Sequence, residues 1–143
     1  MINFTETAME LSDILYLIDE VPAQKREGFL SYMGQTIGDI KAYHVTSAAN
    51  AEQIKAQGFK AQSSRQSYDR PAAVYFFLDA SEINNDNKAI LLDNPQDAVV
   101  IEVVIPRNEF LAKSKWDGLY NTSFDISRSA IQFFGDVPAS WII

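Results

Sequence analysis

The hydrophobic period of this chain changes once, near residue 40, and a single change of that kind leaves few folds open. Before it, apolar residues recur at three- and four-residue spacing: Met9, Leu11, Ile14, Leu15, Ile18 and Val21 form one stripe, the pattern of an amphipathic helix. Thr7 and Glu10 stand at capping-box spacing ahead of it. Pro22 suits the first turn of a second helix over 22–33, with Phe29, Leu30 and Met33 along it and Gly34 and Gly38 to end it. This helical pair is expected to pack on the rest of the chain. Its apolar face is also a candidate partner-binding surface.

After residue 40 the period turns to two. Residues 41–46 (KAYHVT) alternate as a strand, with Ala42, His44 and Thr46 on one face and Tyr43 and Val45 on the other. Ser47 offers an N-cap to a helix over 48–57, and Gly58 is its expected stop. Residues 59–61 read as a short extended piece and 62–71 (QSSRQSYDRP) as a polar loop. Residues 72–78 (AAVYFFL) make a strand, 79–97 a loop with one helical turn, and 98–105 (AVVIEVVI) a strand stopped by Pro106. Residues 107–128 are mixed. Residues 130–134 form another strand, Gly135-Asp136 a turn, and 140–143 a final short strand. Helices first, then strands with few helices between them, predict an α+β fold: an N-terminal helical pair followed by a split, largely antiparallel sheet. The 143 residues are one domain's length, with 1–40 a helical extension and 41–143 the core.

Composition removes whole classes of chemistry. The chain has no Cys, which excludes disulfides, thiolate zinc sites and a cysteine nucleophile. It has one His, which excludes a multi-His metal site, and no metal is expected. No phosphate-binding Gly-rich pattern or serine elbow occurs. No apolar run approaches ~18–20 residues, and MINFTETAMELSD lacks the basic region of a signal peptide. A cytoplasmic protein without a membrane partner is the expectation.

The net charge of −7 argues against a general nucleic-acid coat. Residues 41–70 depart from it: Lys41, Lys55, Lys60, Arg65 and Arg70 face only Glu52 and Asp69, a local +3. Such a segment suits an anionic ligand or is a chance cluster of solvated charges. The strand-to-helix turn at Ser47 lies in this segment, and a helix start favours anions. A lone histidine such as His44 is more often structural than catalytic, but this one stands beside that turn.

His44-Val45-Thr46-Ser47, with Asn50, Ile54 and Gly58-Phe59, resembles the first signature of the ADP-ribosyltransferase superfamily. The form is that of the DNA-modifying toxin branch and of the related RNA 2′-phosphotransferases. Val74-Tyr75-Phe76-Phe77-Leu78 resembles the second signature, and 98–106 the sheet strand that follows. Phe134-Gly135-Asp136-Val137-Pro138, with Trp141-Ile142-Ile143, resembles the closing segment. The resemblance spans about 41–143 and implies NAD as substrate and a macromolecular acceptor, protein or nucleic acid. It implies that His44 and Thr46 hold NAD, that Tyr75 stacks on nicotinamide, and that Arg65 meets the pyrophosphate.

The third signature departs from the family pattern. The resemblance implies a Glu at the start of the strand before the closing turn, where this chain has Ser127-Arg128-Ser129-Ala130-Ile131-Gln132. Ser129 or Gln132 would then supply hydrogen bonds without charge, and Gln132 is the candidate catalytic residue there. Asp125 serves if the register differs by a few residues. The implied function is NAD-dependent mono-ADP-ribosylation, as in a toxin, an effector or a phage counter-defence protein. The missing Glu and the net −7 support an alternative, an inactive acidic binding or inhibitor protein of the same fold. Transfer of an RNA 2′-phosphate to NAD is a third reading, which the five Arg of the chain serve poorly.

Overall fold

A computed structural model describes residues 11–34, 37–61, 72–84, 88, 94–123, 127 and 129–143. The β-branched and aromatic runs of the sequence become one five-stranded sheet. Its strands are β1 (Ile40–Ser47), β2 (Val74–Phe77), β3 (Ala98–Ile105), β4 (Ser114–Trp116) and β5 (Ala130–Phe133). They lie in the order β3-β1-β2-β5-β4, and each neighbouring pair is antiparallel. The helices are α1 (Leu11–Ile18), α2 (Arg26–Tyr32), α3 (Ala48–Gln57) and α4 (Arg107–Lys113). The fold is α+β, as the order of periods predicts.

Alternation along the strands makes one face apolar. Ile40, Ala42, Ile101, Val103, Ile105, Val74, Phe76, Ile131 and Phe133 gather in a single core. Every helix contributes to it: Ile14 and Ile18 from α1, Leu30 from α2, Ala51 from α3, Phe110 and Leu111 from α4. The N-terminal helical pair is therefore part of the core. A smaller cluster on the opposite face joins Val45, Phe77, Ala130 and Tyr120.

Polar contacts fasten the helical pair as well. Arg26 is buried and donates to three carbonyls: Nε to Val21 O at 2.9 Å, Nη1 to Leu111 O at 3.0 Å and Nη1 to Ser114 O at 2.8 Å. Leu111 O lies in the last turn of α4, where helix geometry leaves acceptors unpaired, and Ser114 O begins β4. The Trp116 N–H donates to Asp19 at 3.1 Å. Among the described residues no helix is long and apolar enough to cross a membrane.

Several boundaries differ from the sequence reading. The second helix splits into a 3₁₀ turn, Ala23–Lys25, and α2, whose end at Tyr32, just ahead of Gly34 with φ of 71°, agrees with the sequence reading. The mixed stretch after Pro106 holds α4, β4 and a π-turn, Leu119–Ser123. The final strand over 140–143 is instead a 3₁₀ turn, Ala139–Trp141, with one bridge from Ile142 to Val103. Pro138 stands at the head of that turn, its ring presetting φ. Ile143 N–H then donates to Glu102 O at 2.9 Å, partly covering the β3 edge. Thr7, Glu10 and residues 62–71 lie outside the described residues.

Candidate functional site

Strand β1 pairs with β3 along its whole length, but it meets β2 in register only at Tyr43 and Phe77. Beyond that pair the two strands part. His44 stands at the opening, and its Nδ1 lies 2.7 Å from Tyr75 O. A carbonyl only accepts, so Nδ1 carries the hydrogen and donates it. The imidazole thus takes a carbonyl that a ladder N–H would otherwise pair. In the neutral ring Nε2 is then an acceptor, and it has no partner among the described residues.

The surroundings hold the ring in that state. Phe59 and Phe76 meet it edge-on, with centroids 4.9 and 5.9 Å away. Phe59 is fixed by mutual backbone bonds with Val137 of the closing segment, at 2.7 and 2.9 Å. Burial pushes the His44 pKa below its ordinary value, and the bond to Tyr75 O works against that shift without overcoming it. Neutral His44 is therefore the form present near pH 7.

Thr46 follows two residues on, on the same strand face, and is buried. Ser47 caps α3, its Oγ accepting from Asn50 N at 3.2 Å. Gly58 ends α3 with φ of 79°, and its Cα passes so near the closing segment that a Cβ would lie 2.3 Å from Val137 O. Both the start and the stop of α3 thus agree with the sequence reading, and Phe59, next after the stop, packs on the histidine.

Tyr75 is opposite Gln132 in the β2–β5 register. The two half-buried side chains share the sheet face of Phe77 and Tyr43, away from Phe76. His44 accordingly meets Tyr75 through its backbone, and the Tyr75 ring stands on the other face. The basic segment is partly neutralised: Lys41 pairs with Glu102 at 3.6 Å and Lys60 with Asp136 at 3.5 Å. The Ala61 N–H donates to Asp136 Oδ1 at 2.9 Å and, with Lys60, keeps that carboxyl below its usual range. Lys55 lies exposed in the last turn of α3. Arg65, Arg70, Asp125 and Arg128 lie outside the described residues.

The start of β5 is held by Asn121, whose amide donates to Ala130 O at 2.8 Å while its oxygen accepts from Ala130 N at 2.9 Å. Just before it, a residue that sequence reasoning missed comes in. Glu82 Oε1 accepts from Ser127 Oγ at 3.0 Å and from Ser129 Oγ. A carboxylate therefore stands at the position where β5 itself has none, carried there from 45 and 47 residues away in sequence. Nothing local marks Glu82, one of nineteen acids in the chain. Among the described residues no group of three His or carboxylate side chains is placed to ligate a metal.

Comparison with family models, curated proteins and solved structures finds no match to this chain.

Proposed function

We propose that the protein binds NAD at the opening between β1 and β2 and transfers its ADP-ribose to a macromolecule. One observation carries this reading. The three segments that resemble transferase signatures, far apart in sequence, lie on neighbouring strands β1, β2 and β5, with His44 bonded to Tyr75 and Tyr75 opposite Gln132. The tautomer of His44 suits the task. A ribose hydroxyl is a donor that needs an acceptor, and Nε2 is one. Thr46 and the capped start of α3 lie beside it for the polar remainder of the nucleotide. The Tyr75 ring stacks on nicotinamide from the other side of the opening, Gln132 adds a neutral hydrogen bond, and the resemblance assigns the pyrophosphate to Arg65.

The test is transfer of tagged NAD into a lysate, followed by nuclease or protease digestion, with His44→Ala alongside. Label in the parent and none in the folded variant supports the reading, and the digestion identifies the acceptor class. No label with the folded parent contradicts it. The uncharged β5 (Ala130-Ile131-Gln132-Phe133) and the net −7 favour a second reading, an acidic binding protein of the same fold. A charge-driven partner complex would dissociate steeply as salt rises, and a complex that survives high salt would contradict it.

A further inference from the structure

We infer that Glu82 supplies the negative charge set against the reacting ribose, a role that rests on the transferase reading above. Breaking a glycosidic bond passes through an oxocarbenium-like state. Positive charge growing on a sugar is best stabilised by an anion already fixed beside it. Strand β5 offers no carboxylate, and Glu82 brings one to its first residues.

The placement is built from several elements. The 3₁₀ turn Ala80–Glu82 follows β2 and is capped by Asp79, whose Oδ1 accepts from Ser81 N at 2.9 Å and Ser81 Oγ at 2.7 Å. Leu78 N–H donates to Ser129 O at 3.1 Å, extending the β2–β5 ladder to the root of this turn. Ser127 and Ser129 are both buried, and Ser129 N–H donates to Ser127 Oγ at 3.0 Å. The two hydroxyls are thereby aimed before they meet the carboxylate. The next residue, Ile83, packs on the cluster of Val45 and Phe77, which neighbour His44 and Phe76 in their strands. Two residues lie between Tyr75, whose carbonyl His44 bonds, and Leu78 at the root of the Glu82 turn, about 10 Å of extended chain, a separation on the scale of a nucleoside.

In the step itself the bond between nicotinamide N1 and ribose C1′ breaks, and its electron pair leaves with nicotinamide, which becomes neutral. C1′ then bonds to an oxygen or nitrogen of the macromolecule, whose proton passes to water. Glu82 takes no proton. It lowers the energy of the cationic ribose between the two events.

A purely structural Glu82 would staple the turn to β5 through the two serines. Glu82→Gln separates the roles, because its carbonyl oxygen still accepts from both hydroxyls but carries no charge. The measurement is nicotinamide release from NAD by the parent and by Glu82→Gln, with NAD binding measured in parallel. The expected result is a fall in kcat of about 100-fold or more, with NAD binding and thermal unfolding as in the parent. A parental rate in Glu82→Gln overturns the role of Glu82 and leaves the transferase reading standing. A folded parent that releases no nicotinamide overturns both. Should Glu82→Gln not fold, Ser129→Ala reads the same point. It frees the carboxylate from one hydroxyl, so kcat falls while NAD binding holds, and a parental kcat overturns the inference.

Discussion

At the scale of single residues, His44 links the fold to the site. Its Nδ1–H completes the bonding of a strand that β1 has left, and the cost of burying the ring keeps it neutral. The pKa lies below the unfolded value, so the unfolded chain binds the extra proton first as pH falls. His44's contribution to stability is therefore full above the ordinary histidine pKa of about 6.5 and is lost on acidification toward the folded value. As the only histidine, it is the one side chain whose ordinary pKa falls between pH 5 and 8. Stability is expected to decline from about pH 7.5 to pH 5.5, with a slope of at most about 1.4 kcal/mol per pH unit, the limit for one proton. In His44→Asn, whose amide N–H still reaches Tyr75 O, that slope is expected to vanish. Urea unfolding across this range checks it, and equal slopes in both proteins would contradict it. Gly58 is constrained by backbone geometry. Its φ of 79° and the approach of Val137 O leave no room for a Cβ, so Gly58→Ala is expected to destabilise by about 2–3 kcal/mol, read as a lower Tm.

At the scale of elements, α3, β1 and β3 were legible because their signals are local. Ser47 and Gly58 bracket α3, and alternation or an unbroken β-branched run marks the strands. The cap has a measurable consequence: Ser47→Ala is expected to cost about 1 kcal/mol of stability, and an unchanged Tm would show that Asn50 N–H finds another acceptor. Helix α4 escaped because only Phe110 and Leu111 of its seven residues are buried, too few to repeat as a stripe. The three residues of β4 owe their strand to pairing with β5, which no window of sequence records. The closing segment is apolar enough to read as a strand, yet Pro138 turns it into a 3₁₀ turn that leaves a single bridge. The site divides in the same way. The strand positions of His44, Thr46, Tyr75 and Gln132 were legible because each lies in a run with its own signal. The opposed directions of the His44 and Tyr75 side chains follow from register, and the arrival of Glu82 follows from a turn that only the folded chain forms.

At the scale of the molecule, one core unites the helical pair with the sheet. Ile14, Ile18 and Leu30 are buried in the same cluster as the strands. Three such side chains are worth about 1.5–3 kcal/mol each, against a total stability of about 5–15 kcal/mol for a domain. Arg26 adds two bonds across to α4 and β4. A chain beginning at residue 37 is therefore expected to show no cooperative thermal transition. A sharp transition in circular dichroism would mean that the sheet and its remaining helices suffice. The same arrangement makes the opening between β1 and β2 a property of the whole fold. The β3 strand holds β1 on one side and β5 holds β2 on the other.

The claim that NAD binds at this opening is tested most directly by the ring-nitrogen resonances of His44, which a one-histidine protein shows without overlap. The expected spectrum near pH 7 is that of the neutral ring with hydrogen on Nδ1, and NAD is expected to move the Nε2 signal saturably. A ring protonated on Nε2, or an Nε2 signal that stays fixed with NAD up to about 1 mM, the top of the usual KM range, would contradict it.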